Sequence, residues 1–378
     1  MSRVVLAGPI PPYRSGIADQ TLRLARAMAR LGVTPTLVTF RRMYPKLLYP
    51  GRSQRGAGAF PGDAGEVLAL LDGANPLSFR AAGRKVAALR PELVLLPWWT
   101  SFFALHSRLF LDELGRRAPG TVRLLLCHNL VDHEGGAWRR RVARSVFHRA
   151  DRFAVQNAQA RKDLLDLVPG VRAEVIPHPS EPRTVLPDRD GARAQLGIPP
   201  DDVVFLFTGL LRPYKGWELL LEAFGPVARE FPRARLVFAG EPWGEARKLP
   251  GMVAGRRDVR LELRYLPERE RALWLDACDA VVCPYLHATG SGIAADALAH
   301  GRGVIGTRVD GLVDVVADGE SGILVPPGDA EALGQALRRF VAEGLGARLA
   351  AGAVLHRSRF APGEHARRVL ALGGVAGW

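Results

Sequence analysis

At 378 residues, 48% of them hydrophobic and 24% charged, the chain suits about two globular domains and excludes a disordered protein. The 52 Lys and Arg against 38 Asp and Glu leave a formal charge of +14, a balance that favours nucleic acid, an acidic membrane surface or phosphorylated small molecules. A composition so rich in Arg, Ala and Gly also follows from biased genome content, so the charge is discounted as a functional clue. The three cysteines, Cys127, Cys278 and Cys283, lack CxxC spacing. That argues against a disulfide framework or zinc site and fits a reducing cytosol. The opening "MSRVVLAGPIPPY" is too short in apolar residues for a signal peptide. The longest apolar run, Leu93 to Leu105, has 13 residues and contains Pro97, so no membrane span is expected, although peripheral attachment stays open.

In chain order, "RVVLAG" (Arg3 to Gly8) is a short strand, followed by the loop "PPYRSGIADQ" and a helix. In that helix Leu22, Ala25, Met28, Ala29 and Leu31 recur at helical spacing before Gly32. "TPTLVTF", "ELVLLPW", "VRLLLCHN", "RFAVQN" and "AEVIPH" are further strands, the apolar runs among them of the kind buried in parallel sheets. Pro179 to Asp202, rich in Pro, Asp and Gly, is a linker with one short helix, within which Asp188 to Asp190 ("DRD") is read as a cap and not as a metal motif. The alternation restarts with "VVFLFTG", "RLVFAG", "VRLELRYL", "AVVCPYL", "GVIGT" and "GILVPPGD", and a last helix ends in a frayed Gly-rich tail. Two runs of alternating β and α imply two doubly wound α/β domains with a cleft between them.

Six stretches carry candidate chemistry or contacts. In "FTGLLRPYKGWELLLEAF" (Phe207 to Phe224) a strand ends at Gly209, and Arg212 and Lys215 stand before a helix. Two cations at the carboxyl edge of an α/β sheet can hold a diphosphate and stabilise it as a leaving group, although an ordinary turn with solvated charges reads the same. In the first loop Ser15 and Gly16 precede a helix, where a residue without a β-carbon lets backbone approach a phosphate or sugar, or simply permits the turn. In "YLHATGSGIAADALAHG" (Tyr285 to Gly301), Gly290, Gly292 and Ala295 spell G-x-G-x-x-A, with Asp310 twenty residues after Gly290. That spacing supports an NAD-dependent oxidoreductase as the alternative reading. His128 stands just past a buried strand, followed by His133 and Glu134 without HExxH spacing; a structural histidine fits that position as well as a catalytic one. "AWRRRVARSVFHRAD" is a basic amphipathic helix, suited to anionic lipid or to core packing with a solvated face. The aromatic faces of "PWWTSFF" could stack on a sugar or acceptor, or fill the core. Dispersed basic residues and the lack of a recognition motif argue against nucleic acid.

Together these stretches resemble retaining glycosyltransferases of the GT-B fold, in the group 1 or GT4 family. The resemblance covers nearly the whole chain and is most specific in "ALAHGRGVIGTRVDGLVDVVADGESGILVPPGDAEALGQAL". It implies two Rossmann-like domains facing each other across a cleft: residues 1–182 for the acceptor, 183–358 for the nucleotide-sugar donor, and 359–378 as a helix and tail crossing back. By that resemblance Lys215 would hold the donor diphosphate with Arg212 standing in for an arginine the family often places at Leu210. Ser15 and Gly16 would approach the donor phosphate or sugar, His128 would contact the transferred sugar, and backbone at Tyr265 and Leu266 would meet the base. The family's E-x7-E motif falls on Ala288 and Asp296, so the first Glu is absent and the second shortened. Thr289, Gly290, Ser291 and Gly292 match a related subgroup whose hydroxyls and N–H groups could hold phosphate, with Asp296 taking the ribose hydroxyls. The implied reaction moves a sugar from a nucleotide diphosphate donor to an acceptor hydroxyl on a glycan, lipid-linked or small-molecule acceptor. It retains the anomeric configuration and needs neither metal nor cofactor. The protein would be cytoplasmic, with peripheral contact to an anionic membrane left open. The loss of the first Glu motivates a second alternative, a catalytically degenerate sugar-nucleotide binder.

Overall fold

The computed structural model describes residues 4–45, 53–56, 58–130, 137–180 and 188–378. The expected boundary at 182/183 and the residues His133 and Glu134 lie outside them. The chain forms two compact units, one of Met1–Pro179 with Pro362–Trp378 and the other of Ser180–Ala361.

The first unit holds strands β1 (Val4–Ala7), β2 (Thr36–Arg42), β3 (Val67–Asp72), β4 (Leu93–Trp98), β5 (Val122–Cys127), β6 (Arg152–Val155) and β7 (Arg172–Val175). They pair in the order β3-β2-β1-β4-β5-β6-β7, and every pairing is parallel. Successive residues of a strand face opposite sides, so Val4 and Leu6 pack in one apolar layer and Val5 and Ala7 in the other. β3 has no counterpart among the predicted strands. Its half-buried "VLALLD" lies at the sheet edge and carries neither the β-branched density nor the alternation that marks the others.

The C-terminal helix Pro362–Gly373 belongs to this same unit. Ala366, Val369, Leu370 and Leu372 lie in one layer with Leu93, Leu95 and Leu124. The expected frayed tail is corrected in part, because Val375 is buried in that layer as well.

The second unit holds β8 (Val203–Thr208), β9 (Ala234–Ala239), β10 (Val259–Glu262), β11 (Ala280–Cys283), β12 (Gly303–Thr307) and β13 (Gly322–Val325). Their order is β10-β9-β8-β11-β12-β13, again all parallel. Val204 and Leu206 of β8 pack on one face of the sheet, Phe205 and Phe207 on the other. Asp188 accepts a hydrogen bond from the Gly191 N–H and caps the helix Arg189–Leu196, so the DRD sequence is an N-cap.

Each sheet reverses its winding direction once, between β1 and β4 in the first unit and between β8 and β11 in the second. In open α/β sheets ligands bind just beyond the carboxyl ends of the strands at such a reversal. The segments that leave β1, β4, β8 and β11 therefore set where a ligand would be met.

Candidate functional site

The turn after β8 is shaped by close backbone approaches. Gly209 has φ +99° and Gly216 φ +69°, both in the left-handed region that disfavours side chains. A Cβ at Gly216 would run into the carbonyl oxygen of Pro284, just past β11. Between these glycines, Pro213–Lys215 makes a single 3-10 turn that delivers Lys215 back over the strand end. The Lys215 ammonium sits 3.2 Å from where a Cβ on Gly209 would be, and Ile293 of the helix Gly292–Ala299 lies 3.5 Å from the same point. The cation thus meets the first turn of that helix at the winding reversal.

Among the described residues Lys215 has no carboxylate partner, and its nearest aromatic face is Tyr285, 5.6 Å away. Burial holds Tyr285 neutral, with its pKa well above the ordinary range, and pushes the Cys283 thiol up to about 11. Desolvation lowers the Lys215 pKa to about 8; Arg212 and Arg271 add to the drop, and only Cys283 opposes it. Arg212 stacks on the Trp243 ring at 4.4 Å, with its Nε buried and without a hydrogen-bond partner. Excess positive charge in a desolvated site calls for an anion.

The helix Gly292–Ala299 offers its N-terminus to the same place. Ser291 caps it, its Oγ accepting from the Ala294 N–H at 3.1 Å and lying 3.5 Å from the Tyr285 hydroxyl. The half-buried Thr289 and Gly290 precede this cap, and the Gly311 N–H donates to the Ala288 carbonyl at 2.8 Å, holding their loop. Residues 284–289 separate β11 from Gly290, so the immediate tight turn of a dinucleotide fingerprint is missing. Asp296, about one turn along, is 6% exposed. One carboxylate oxygen accepts from the Ser180 hydroxyl at 2.7 Å, and the other lies 3.7 Å from Arg271 Nε. Tyr265 and Leu266 lie between β10 and the helix Glu268–Ala277, Tyr265 half-buried and Leu266 in the core.

In the first unit Ser15 caps the helix Gly16–Arg30, its side chain accepting from the Ala18 N–H at 3.1 Å. Among the described residues, a Cβ on the exposed Gly16 would meet nothing within 4 Å. His128 follows β5, its N–H donating to the Trp98 carbonyl at 2.8 Å, and its ring stacks on His178 at 5.3 Å and 12°. Burial, with a smaller effect from His365, drives its pKa down to about 3, so the ring is neutral. The aromatic run after β4 divides between core and surface. Trp98 and Phe103 are core, whereas Trp99 is half-buried, donating Nε1–H to the Tyr44 hydroxyl at 3.0 Å, and Phe102 is exposed.

The structure therefore brings Gly209, Arg212, Lys215, Thr289, Gly290, Ser291, Gly292 and Asp296 together in the second unit. Ser15, Gly16 and His128 lie at the strand-carboxyl edge of the first. Sequence reasoning missed Arg271, Trp243 and Tyr285 around the lysine, and His178 and His365 around His128. Each is distant in sequence from the group it modulates, and no local motif marks it. Among the described residues no group of three or more His, Cys, Asp or Glu could hold a metal ion, and no helix is long and apolar enough to cross a membrane.

Two doubly wound parallel units with these strand orders define the architecture of GT-B glycosyltransferases. The fold matches sucrose-phosphate synthase from Thermosynechococcus elongatus with a TM-score of 0.78 at 20% identity, covering 98% of each chain. It matches the Anabaena protein Alr3699/HepE, solved in complex with UDP and glucose, with a TM-score of 0.75 at 15% identity over 98% of this chain and 99% of that one. Residues 15–179 match the glycosyl transferase 4-like domain, and residues 202–343 match the glycosyl transferases group 1 domain. The D-inositol 3-phosphate glycosyltransferase of Acidothermus cellulolyticus is 30% identical over 376 residues, 91% of this chain and 82% of that protein. The namesake enzyme from Nocardioides sp. is 36% identical over 198 residues, so the match spans only 43% of its length. The chain belongs to the group 1 (GT4) family of glycosyltransferases.

Proposed function

We propose that the protein transfers a sugar from a nucleoside diphosphate donor to an acceptor hydroxyl, with retained anomeric configuration and without a metal ion. The observation that carries this reading is the Lys215 ammonium, desolvated and lacking a carboxylate partner, beside the N-terminus of the Gly292–Ala299 helix. A diphosphate leaving group gains charge as the glycosidic bond breaks. Lys215 and Arg212 would stabilise that charge electrostatically, and the free N–H groups of the helix would hydrogen-bond its oxygens. The N–H groups at the Gly16–Arg30 helix start would approach the sugar-phosphate end, and neutral His128 would hydrogen-bond a hydroxyl of the transferred sugar. Backbone at Tyr265 and Leu266 would take the base. Asp296, bonded to Ser180 through one oxygen and facing Arg271 with the other, would take the ribose hydroxyls. The UDP, glucose and UDP-glucose complexes of the Anabaena protein support the donor class.

The acceptor is a sugar, glycolipid or small-molecule hydroxyl, met at the first unit, in a cytoplasmic protein that rests peripherally on anionic membrane. That contact is motivated by the helix Ala137–Phe147, which buries Ala143, Val146 and Phe147 and exposes Trp138, Arg140, Arg141 and Arg144.

Thermal shift tests the donor reading. UDP or GDP at millimolar concentration should raise the melting temperature of the wild type and not that of Lys215→Ala, while NAD leaves both unchanged. Stabilisation by NAD, or equal stabilisation of both proteins by UDP and GDP, would overturn it.

A further inference from the structure

The first unit contains a second histidine, His178, whose ring stacks on that of His128. The backbone on either side of His178 is gripped from two helices. His365, on Pro362–Gly373, bonds the Pro177 carbonyl at 2.8 Å through its Nδ1, which must therefore carry the proton. Arg23, on Gly16–Arg30, donates to the Pro179 carbonyl at 3.4 Å. Held between them, the His178 ring lies nearly parallel to the His128 ring, at 12° and 5.3 Å between centroids. Its own Nδ1 is buried with no hydrogen-bond partner. Among the described residues, the ring contact of this side chain is the face it presents to His128.

We propose that His178 is a positioning residue: its ring, carried on backbone gripped by His365 and Arg23, fixes the plane of His128 and excludes water from one side of it. This rests on the reading that His128 contacts the transferred sugar. An imidazole whose plane is set by a stacked neighbour hydrogen-bonds a hydroxyl in one direction without losing rotamer freedom on binding.

The charged and titratable groups around the pair are His365 and Arg23, with Arg368 behind His365 and paired to Glu174. Burial first, then His128, His365 and Arg23, hold His178 well below the usual histidine range. Burial, opposed by the bond to the Pro177 carbonyl and helped by Arg368, holds His365 down to about 4. A cationic His128, which would present two donors and no acceptor, is thereby avoided at neutral pH.

The test compares wild type, His178→Ala, His178→Phe and His128→Ala, with the His128 ring followed by NMR titration and kcat and donor KM by nucleoside diphosphate release. His178→Ala should lower kcat about tenfold with donor KM within about twofold, and should move the His128 titration from below pH 4 towards pH 6. His178→Phe keeps a flat face and should hold kcat within about threefold of wild type. If the Ala variant does not fold, His178→Asn carries the same expectations. An unmoved His128 titration, or His178→Phe as impaired as His178→Ala, would overturn the inference. Full activity in His128→Ala would instead sink the sugar-contact reading on which it rests, and the NMR titration reports the ring geometry independently of turnover.

Discussion

Replacing Lys215 by Met should make the ligand-free protein more stable while removing its activity. The Lys215 pKa falls from an ordinary 10.5 to about 8 in the fold, chiefly through desolvation. A tenfold change in an acid dissociation constant is worth about 1.4 kcal/mol, so keeping this ammonium charged inside the fold costs about 3 kcal/mol at neutral pH. The contact with the Tyr285 ring at 5.6 Å offsets about 1 kcal/mol of that and is lost with the lysine. Methionine has similar length, needs no hydration and fills irregular space, so the net gain is about 2 kcal/mol. In the unit Ser180–Ala361 that corresponds to a rise in Tm of roughly 4–8 °C. The sign with pH follows from linkage. Between pH 8 and 10.5 the unfolded lysine binds a proton that the folded one does not, so wild-type stability rises with pH across that window. The advantage of Lys215→Met should therefore be full below pH 8 and gone above pH 10.5. Thermal unfolding of both proteins from pH 7 to 10.5, in the same buffers and salt, measures it. A variant less stable than wild type at pH 7, or an advantage constant across the range, would refute the claim that this lysine is held desolvated for a ligand.

Gly216→Ala forces a Cβ against the Pro284 carbonyl at φ +69°, so it should destabilise the second unit by about 3 kcal/mol or more and displace Lys215, read as a lower Tm together with lost nucleotide binding. Acid should destabilise the first unit early. His128 and His365 have folded pKa values of about 3 and 4, and His178 lies well below its ordinary value, so the unfolded chain takes up protons that the fold refuses. The stability these neutral rings confer is fully present above pH 6.5 and is lost as pH falls towards 4. Melting curves at pH 7, 6, 5 and 4 should show the decline, and His365→Asn, which keeps a donor for the Pro177 carbonyl, should soften it.

Much of the second unit was legible in the sequence because its signals are local. β8, the glycine that ends it, the two cations and the following helix are contiguous, and the strands from β8 to β13 other than the alternating β10 show short apolar runs. What was illegible is contact between distant segments. Asp296 was singled out by the resemblance, yet only the fold shows its carboxylate bonded to Ser180, 116 residues away. Trp98 and Trp99 are identical neighbours, but Trp98 closes the fully buried β4 whereas Trp99 lies past its end and is half-exposed. The aromatic run alone did not say on which residue the strand would end. His178 is unremarkable in "VIPHPS" because the two helices that grip its backbone begin more than a hundred residues away on either side.

The most direct measurement of the central claim is nucleoside diphosphate release from a panel of UDP- and GDP-sugars, with and without candidate acceptors, by wild type and Lys215→Ala. The account predicts slow release from at least one donor by wild type, acceleration by the right acceptor, and loss of at least about a hundredfold in the variant while its fold is retained. No release from any donor, or equal release by the two proteins, would contradict it.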